Sequence, residues 1–508
     1  MTPVERVQDA PNTGVDIIGA ARSGFDDVVP LYYAGGWRRS SSGATFETVE
    51  PATGEVLARV AMADARDLDA AIRAAEDAAV DWGRMPARRR GDLIAELAAR
   101  VGEHAAELAV LDARDLGSPL GAMRADAEKG ASTLAEMAGL TAEMKGQTIP
   151  VGRGQYHATT LEPWGVVARI IAFNHPVLFA CARSAPALAA GNAVILKPSE
   201  LAPLGALALA QLADGLLPPG VLSVLTGGPD LGAAIVSDPR IRRMSFTGSL
   251  ATGLKVLAGA AASGVIKTTT LELGGKNPII VCDDANIDAA ADAVVRGMNF
   301  TRVQGQSCGS TSRLLVHRDV HAALLDRVVD RVERIRIGLP TEDGVEMGAL
   351  INRAAQQRTL AFIERAISDG GRLVIGGTPP QDPRLANGAF VLPTVIDNVR
   401  EDSELACEEV FGPVLAVMRW HEEREAIRLA NASRYGLTAS IWSTDLDRAF
   451  RVAEAVEAGY IWVNDVESRY PGVPFGGWKD SGVGLENGID ELVSFTRTKT
   501  LNVRFKTV

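Results

Sequence analysis

Cys308 is the residue whose surroundings suit a nucleophile. It follows Gly305-Gln306-Ser307 and precedes Gly309-Ser310-Thr311, so small side chains on both flanks leave the sulfur approachable. The three other cysteines read differently. Cys181 and Cys282 have apolar neighbours, the company of small buried hydrophobes. Cys407 sits between Glu404 and Glu408-Glu409, where carboxylates raise a thiol pKa and dull it. A cysteine nucleophile needs a base, an oxyanion donor and an acceptor for what leaves. Glu272 lies between Leu271 and Leu273, and a carboxylate in apolar company can shuttle protons near neutral pH. Spacing alone fits a solvated strand-end glutamate at least as well. Asn174, in Ala172-Phe173-Asn174-His175-Pro176, follows an apolar strand and could donate its amide to an oxyanion. His175 is a lone histidine with no visible partner, which reads as a packing or loop residue.

A second group of residues suits a nucleotide. Lys197, Ser199 and Glu200 end an apolar strand, where open α/β sheets bind ligands, and a Lys with a Glu there suits ribose hydroxyls. Phe246-Thr247-Gly248-Ser249 precedes a second glycine, Gly253. That spacing is GxxxxG and not the GxGxxG fingerprint. A strand followed by Gly-Ser at a helix start is still a phosphate-binding arrangement.

These residues must be positioned by the elements around them. From Asp64, the apolar residues Leu68, Ile72, Ala75 and Ala79 mark one helical face, and Gly117 is a plausible helix stop. From about 160, short apolar strands at 166–173, 193–197, 222–225 and 243–246 alternate with helices. A second set follows, with strands at 314–317, 414–420, 438–442 and 460–464. Fully apolar strands alternating with helices predict parallel sheets covered on both faces, hence two α/β modules. The tail 494–505 alternates like a strand with no partner in its own module, a candidate for pairing across a subunit interface or for folding back on its own domain. The first thirty or so residues read as an irregular arm.

Composition narrows the function classes. With 52 Lys+Arg against 63 Asp+Glu, the net charge of −11 argues against nucleic acid or an anionic membrane as partner. Four cysteines in 508 residues fit a reducing compartment, and no signal peptide or transmembrane run is visible, so a cytoplasmic protein is expected. The six histidines have no ligand spacing, so no metal is expected.

Taken together the motifs resemble the aldehyde dehydrogenase superfamily. EPATGE (50–55), EPWGVV (162–167), AFNHP, GNAVILKPSE, PPGV (218–221), FTGS, LELGGKNP, GQSC, EEVFGPV (408–414), YGLTASIW and PFGGWKDSGVGLENG (474–488) occur in family order. The resemblance implies NAD(P)-dependent oxidation of an aldehyde to the acid. Cys308 matches the nucleophile that gives a thiohemiacetal and then a thioester. Asn174 with the Cys308 backbone N–H matches the oxyanion hole, and Glu272 the base that activates the hydrolytic water. Lys197 and Glu200 match adenosine-ribose contacts, Gly248 and Ser249 the pyrophosphate turn, and Glu409 and Phe411 contacts to the nicotinamide end. Ile171, Ala172, Ser199, Leu273 and Gly274 complete the implied cofactor contacts. Glu200 favours NAD by repelling a 2′-phosphate, with NADP use left open.

The resemblance also implies three parts: a Rossmann-like cofactor domain from 1–146 and 165–274, a catalytic domain over 275–487, and a small β arm for oligomerisation from 147–164 and 488–508. A homodimer or homotetramer follows. Several positions depart from the family pattern. Ala172-Phe173 replace Pro-Trp before Asn174, His175 replaces an aromatic, Leu201 a Gln, Arg183 a Lys and Ala182 an aromatic. Ala182 would widen the funnel that Leu178 and Phe179 then line, which favours a bulky aromatic or terpenoid-like aldehyde. Arg469 and Tyr470 fall in the loop at the funnel mouth. Arg469 could pair with a semialdehyde carboxylate but reads more simply as a surface arginine. Semialdehyde and betaine-aldehyde oxidation are the alternatives, followed by a CoA-acylating enzyme and a non-catalytic binding relative.

Overall fold

The computed structural model describes residue 25 and residues 27–505, so most of the expected N-terminal arm lies outside the described residues. The first module is an eight-stranded sheet. Its order is Gly482–Val483, Thr268–Glu272, Arg243–Thr247, Val166–Ile170, Ala193–Lys197, Leu222–Val224, Leu31–Tyr33 and Gly36–Arg38. The five central strands are parallel. Both faces are covered, as the apolar strands require. Along Val166–Ile170, Val166, Ala168 and Ile170 join one core while Val167 joins the other. Helices Ala65–Arg84, Pro229–Ser237 and Leu250–Ala262 cover the first face. Helices Ala87–Glu103, Ala105–Leu116, Leu120–Leu140, Pro176–Ala189 and Leu204–Ala213 cover the second.

Chain direction decides where a ligand can sit. From Val166–Ile170 the next two strands step one way across the sheet, and the two after them return to its other side. The crevice between Val166–Ile170 and Arg243–Thr247 is therefore the topological switch point, where open α/β sheets bind ligands. Residues 171–175 and 248–249 follow these two strands.

The second module is a seven-stranded sheet in the order Arg372–Ile375, Thr394–Asp397, Val414–Trp420, Arg313–His317, Pro278–Val281, Thr438–Trp442 and Tyr460–Val463. The Arg372–Ile375 edge is antiparallel and the other pairings are parallel. The modules are joined along one edge. Gly482–Val483, following the last strand of the second sheet, pairs antiparallel with Leu271–Glu272 of the first. Gly482 has φ 157°, and a Cβ there would lie 2.2 Å from the Leu271 carbonyl oxygen, so the strand needs glycine to come this close.

The tail finds a partner in its own chain. Thr496–Arg504 pairs antiparallel with Gln155–Pro163 through nine residues, forming a separate two-stranded ribbon. The ribbon leaves Tyr156, Leu501 and Val503 exposed. No helix among the described residues is long and apolar enough to cross a membrane.

Candidate active site

Cys308 opens into a cavity of about 350 Å³ shared with Glu272, His175, Leu178, Phe179, Ala182, Arg183, Arg469 and Tyr470. Four constraints bring Cys308 there. Its carbonyl accepts from Asn277 Nδ2 at 2.7 Å. Gly275 must stay small, because a Cβ would lie 2.5 Å from the same carbonyl. Upstream, Gln306 Oε1 accepts from the Ile351 amide at 3.0 Å, and Gln304 takes a left-handed conformation with φ 55°. Burial pushes the Cys308 thiol up to about 11, with Arg469 the leading charge that opposes the shift.

Glu272 ends its strand with the side chain buried, and neither carboxylate oxygen has a protein hydrogen-bond partner. Burial and then the Glu486 carboxylate hold its pKa well above the usual range, while Arg183 and Arg469 pull it down. Arg183 Nη1 meets Glu486 Oε2 at 2.5 Å. Asn174 is buried but does not line the cavity. Its Nδ2 donates to the Gln306 carbonyl at 2.9 Å, two residues before Cys308. An asparagine amide carries two N–H groups, so this contact leaves one for a ligand.

The geometry brings a thiol and an unpartnered carboxyl to one cavity, with a buried side-chain amide bonded to the thiol's own loop. Residues 37–501 match the aldehyde dehydrogenase family. The chain belongs to that family. It is 43% identical to the aldehyde dehydrogenase tropH of Talaromyces stipitatus over 480 residues, covering 93% of each chain. Among solved structures it is similar to PnpE from a Pseudomonas species, at 35% identity and TM-score 0.91, covering 94% of this chain and 98% of that one. It is also similar to betaine aldehyde dehydrogenase from Staphylococcus aureus in complex with NAD+, at 31% identity and TM-score 0.92, covering 97% and 98%.

In this aldehyde dehydrogenase the residues expected at a nucleotide gather at the switch-point crevice. Lys197 is buried at its strand end, donates Nζ to the Pro198 carbonyl at 3.1 Å and lies 3.6 Å from Glu200. Ser199 Oγ accepts from the Leu201 amide. Ile171 N–H donates to the Lys197 carbonyl, joining the two strand ends. Ser249 caps helix Leu250–Ala262, and the Gly248 amide donates to the Glu272 carbonyl at 3.0 Å. The Leu273 amide donates to the Ser481 carbonyl at 2.8 Å, with Gly274 following. A Cβ on Gly274 would lie 2.2 Å from Glu409, whose Oε1 accepts from the Gly275 amide at 2.9 Å. Burial raises Glu409 to about 7. Phe411 has φ 53° and meets Phe173 edge-on at 5.7 Å. Ala172 packs against the core beneath these strand ends.

One expectation from the sequence needs correction and two gain detail. His175 does have a partner: its Nδ1 lies 2.5 Å from Asp126 Oδ2, and Arg302 bonds the other oxygen at 2.6 Å. Burial raises the Asp126 carboxyl, but His175 and Arg302 outweigh it and hold the pKa below the usual range. Arg469 is exposed, as expected of a surface arginine, but it also lines the cavity, with its guanidinium 3.6 Å from the Phe475 ring centroid and beside Gly309. No carboxylate pairs with it among the described residues. The funnel that Leu178, Phe179 and Ala182 line is partly apolar, and Lys129, Glu136, Arg302 and Glu467 add charge to its lining.

The sequence held one unused signal for this polar wall. Asp126, Lys129, Thr133 and Glu136 are spaced 3, 4 and 3 apart on helix Leu120–Leu140, which places them on one face. Gly130 lets that helix approach helix Pro176–Ala189, since a Cβ there would lie 3.2 Å from Cys181 Cβ. Asp126 thereby reaches His175 at the N-terminus of the facing helix. Arg183 and Glu486 stand far apart in sequence, and only the fold brings them together.

Proposed function

We propose that this enzyme oxidises an aldehyde to its carboxylic acid with NAD+ through a covalent Cys308 adduct. The Cys308 thiolate adds to the aldehyde carbon, forming a C–S bond and an oxyanion. The free amide N–H of Asn174 and the Cys308 backbone N–H donate to that oxygen. NAD+, when bound, supplies the hydride acceptor for oxidation of the adduct to a thioester. Glu272 then takes a proton from water, whose oxygen attacks the thioester carbon. The C–S bond breaks and the acid leaves. The observation that carries this reading is the Glu272 carboxylate, buried, unpartnered and opening on the same cavity as Cys308.

The crevice residues fit the nucleotide. Glu200 beside Lys197 suits the hydroxyls of an adenosine ribose, and the Gly274 cradle brings Glu409 where a second ribose would need an acceptor. Glu200 favours NAD over NADP. The proposed domains are 1–146 with 165–274 for the cofactor, 275–487 for catalysis, and 147–164 with 488–508 as an oligomerisation arm. The apolar side chains left exposed on the ribbon support a homodimer or a dimer of dimers. The free cysteines support a cytoplasmic location.

NADH formation with an aldehyde panel tests the reaction. Cys308→Ser should abolish turnover, and the product should be the free acid with or without CoA. Turnover that requires CoA would assign the thioester to acyl transfer. Full activity in Cys308→Ser would remove the proposed nucleophile.

A further inference from the structure

The His175–Asp126–Arg302 cluster has no part in the chemistry described above. Asp126 is fully buried and divides its two oxygens between His175 and Arg302. Arg302 balances the carboxylate charge, so the trio is neutral when the imidazole is neutral. A carboxylate only accepts hydrogen bonds, so His175 Nδ1 must carry the proton that faces it. The neutral ring then presents Nε2 as a lone-pair acceptor. Nε2 has no protein partner among the described residues, and His175 lines the cavity onto which Cys308 opens. Burying such an acceptor against an apolar ligand is costly, whereas a ligand hydroxyl satisfies it.

The rest of the lining indicates what bears that hydroxyl. Phe179 stands edge-on to His175 at 5.3 Å, and Leu178, Trp462 and Phe475 supply further apolar surface. Arg469 lies at the nucleophile's own loop, against Gly309 and Phe475, at the end of the cavity where the aldehyde carbon must come.

We propose that His175, oriented by Asp126, reads a hydroxyl on the substrate, so that this enzyme selects aromatic aldehydes carrying a ring hydroxyl. The inference rests on Cys308 being the nucleophile of aldehyde oxidation. Asp126 is a positioning residue, acting through the tautomer it imposes on His175.

The test compares kcat/KM for benzaldehyde, the three hydroxybenzaldehydes, their methoxy counterparts and the carboxybenzaldehydes, with propionaldehyde as a small reference, at about pH 7, where the ring hydroxyls largely keep the proton they must donate. In the wild-type enzyme at least one hydroxy isomer should exceed both benzaldehyde and its methoxy counterpart by about tenfold, since methoxy cannot donate. His175→Phe should erase that gap by slowing the hydroxy isomer while benzaldehyde oxidation persists. Asp126→Asn, whose amide can donate to Nδ1 and move the ring proton to Nε2, should narrow the hydroxy-to-methoxy ratio.

Wild-type oxidation of propionaldehyde or benzaldehyde with no hydroxy preference overturns the inference without any variant having to fold. So does a preference that survives in His175→Phe. A carboxy isomer faster than every hydroxy isomer also overturns it, in favour of Arg469 as the reader of an anion. Absence of NADH formation from every aldehyde overturns the underlying reaction instead.

Discussion

Arg183 and Glu486 meet at 2.5 Å in a buried ion pair that bears on the Glu272 carboxylate. The two partners push Glu272 in opposite directions, Glu486 upward and Arg183 downward. A base works when deprotonated, so raising its pKa moves the rising limb of the kcat–pH profile to higher pH. Glu486→Gln should move that limb toward acid, and Arg183→Met toward alkali. The double variant should fall between them. A limb unmoved by either change would show that Glu272 does not govern it. Glu486→Gln leaves the Arg183 charge without its carboxylate, for a stability loss of about 3–5 kcal/mol, whereas Arg183→Met leaves Glu486 with Arg169 at 4.0 Å and should cost less, so thermal melting should accompany the kinetics.

Asn174 holds the Gln306 carbonyl with one N–H, which leaves a second for the proposed oxyanion contact. Asn174→Ala should lower kcat by about 10²–10³, the usual effect of losing one oxyanion donor. Steady-state rates with a fixed aldehyde measure it. A loss under about tenfold would place the oxyanion donor elsewhere.

Burial lifts the Cys308 thiol to about 11, and Arg469 is the first charge to oppose it. The thiolate is the nucleophile, so iodoacetamide alkylation of Cys308 should climb with pH past the ordinary thiol range. Arg469→Met removes a compensating cation and raises the pKa further. Alkylation should then be several-fold slower at every pH below the midpoint. Peptide-resolved mass spectrometry separates Cys308 from Cys407. A wild-type midpoint at or below 9, the ordinary value, would contradict the burial effect.

Glu200 stands 3.6 Å from Lys197 at a strand end. Removing its charge lifts the repulsion toward a 2′-phosphate. Glu200→Gln should therefore raise the NADP-to-NAD ratio of kcat/KM by about tenfold. An unchanged ratio would mean that Glu200 does not face the adenosine ribose.

What the sequence made legible follows the range of the interactions involved. Ala193–Lys197, Val414–Trp420 and Thr438–Trp442 lie where their apolar runs predict, because strands buried on both faces are apolar throughout. Gly117 ends its helix in the left-handed conformation, a local rule locally obeyed. The strand of VVARIIAF stops at Ile170, where the chain turns toward the crevice. Cys308 and Glu272 were visible as motif residues, but their shared cavity was not. Asp126–Arg302 and Arg183–Glu486 join residues hundreds or nearly two hundred positions apart, and a long-range ion pair leaves no periodicity to read. His175 looked solitary for the same reason.

Gly482–Val483 is only two residues long, yet it is hydrogen-bonded to Leu271–Glu272, the end of the strand that carries the cavity carboxyl. Ser481 extends the connection, accepting from the Leu273 amide at 2.8 Å and donating to the Gly274 carbonyl at 2.7 Å. Along this edge the cleft is a stitched seam, and swinging the modules apart there would tear the stitches beside Glu272. Access for nucleotide and aldehyde must come from the unstitched sides, and mechanical load on either half is delivered to the backbone that aims Glu272.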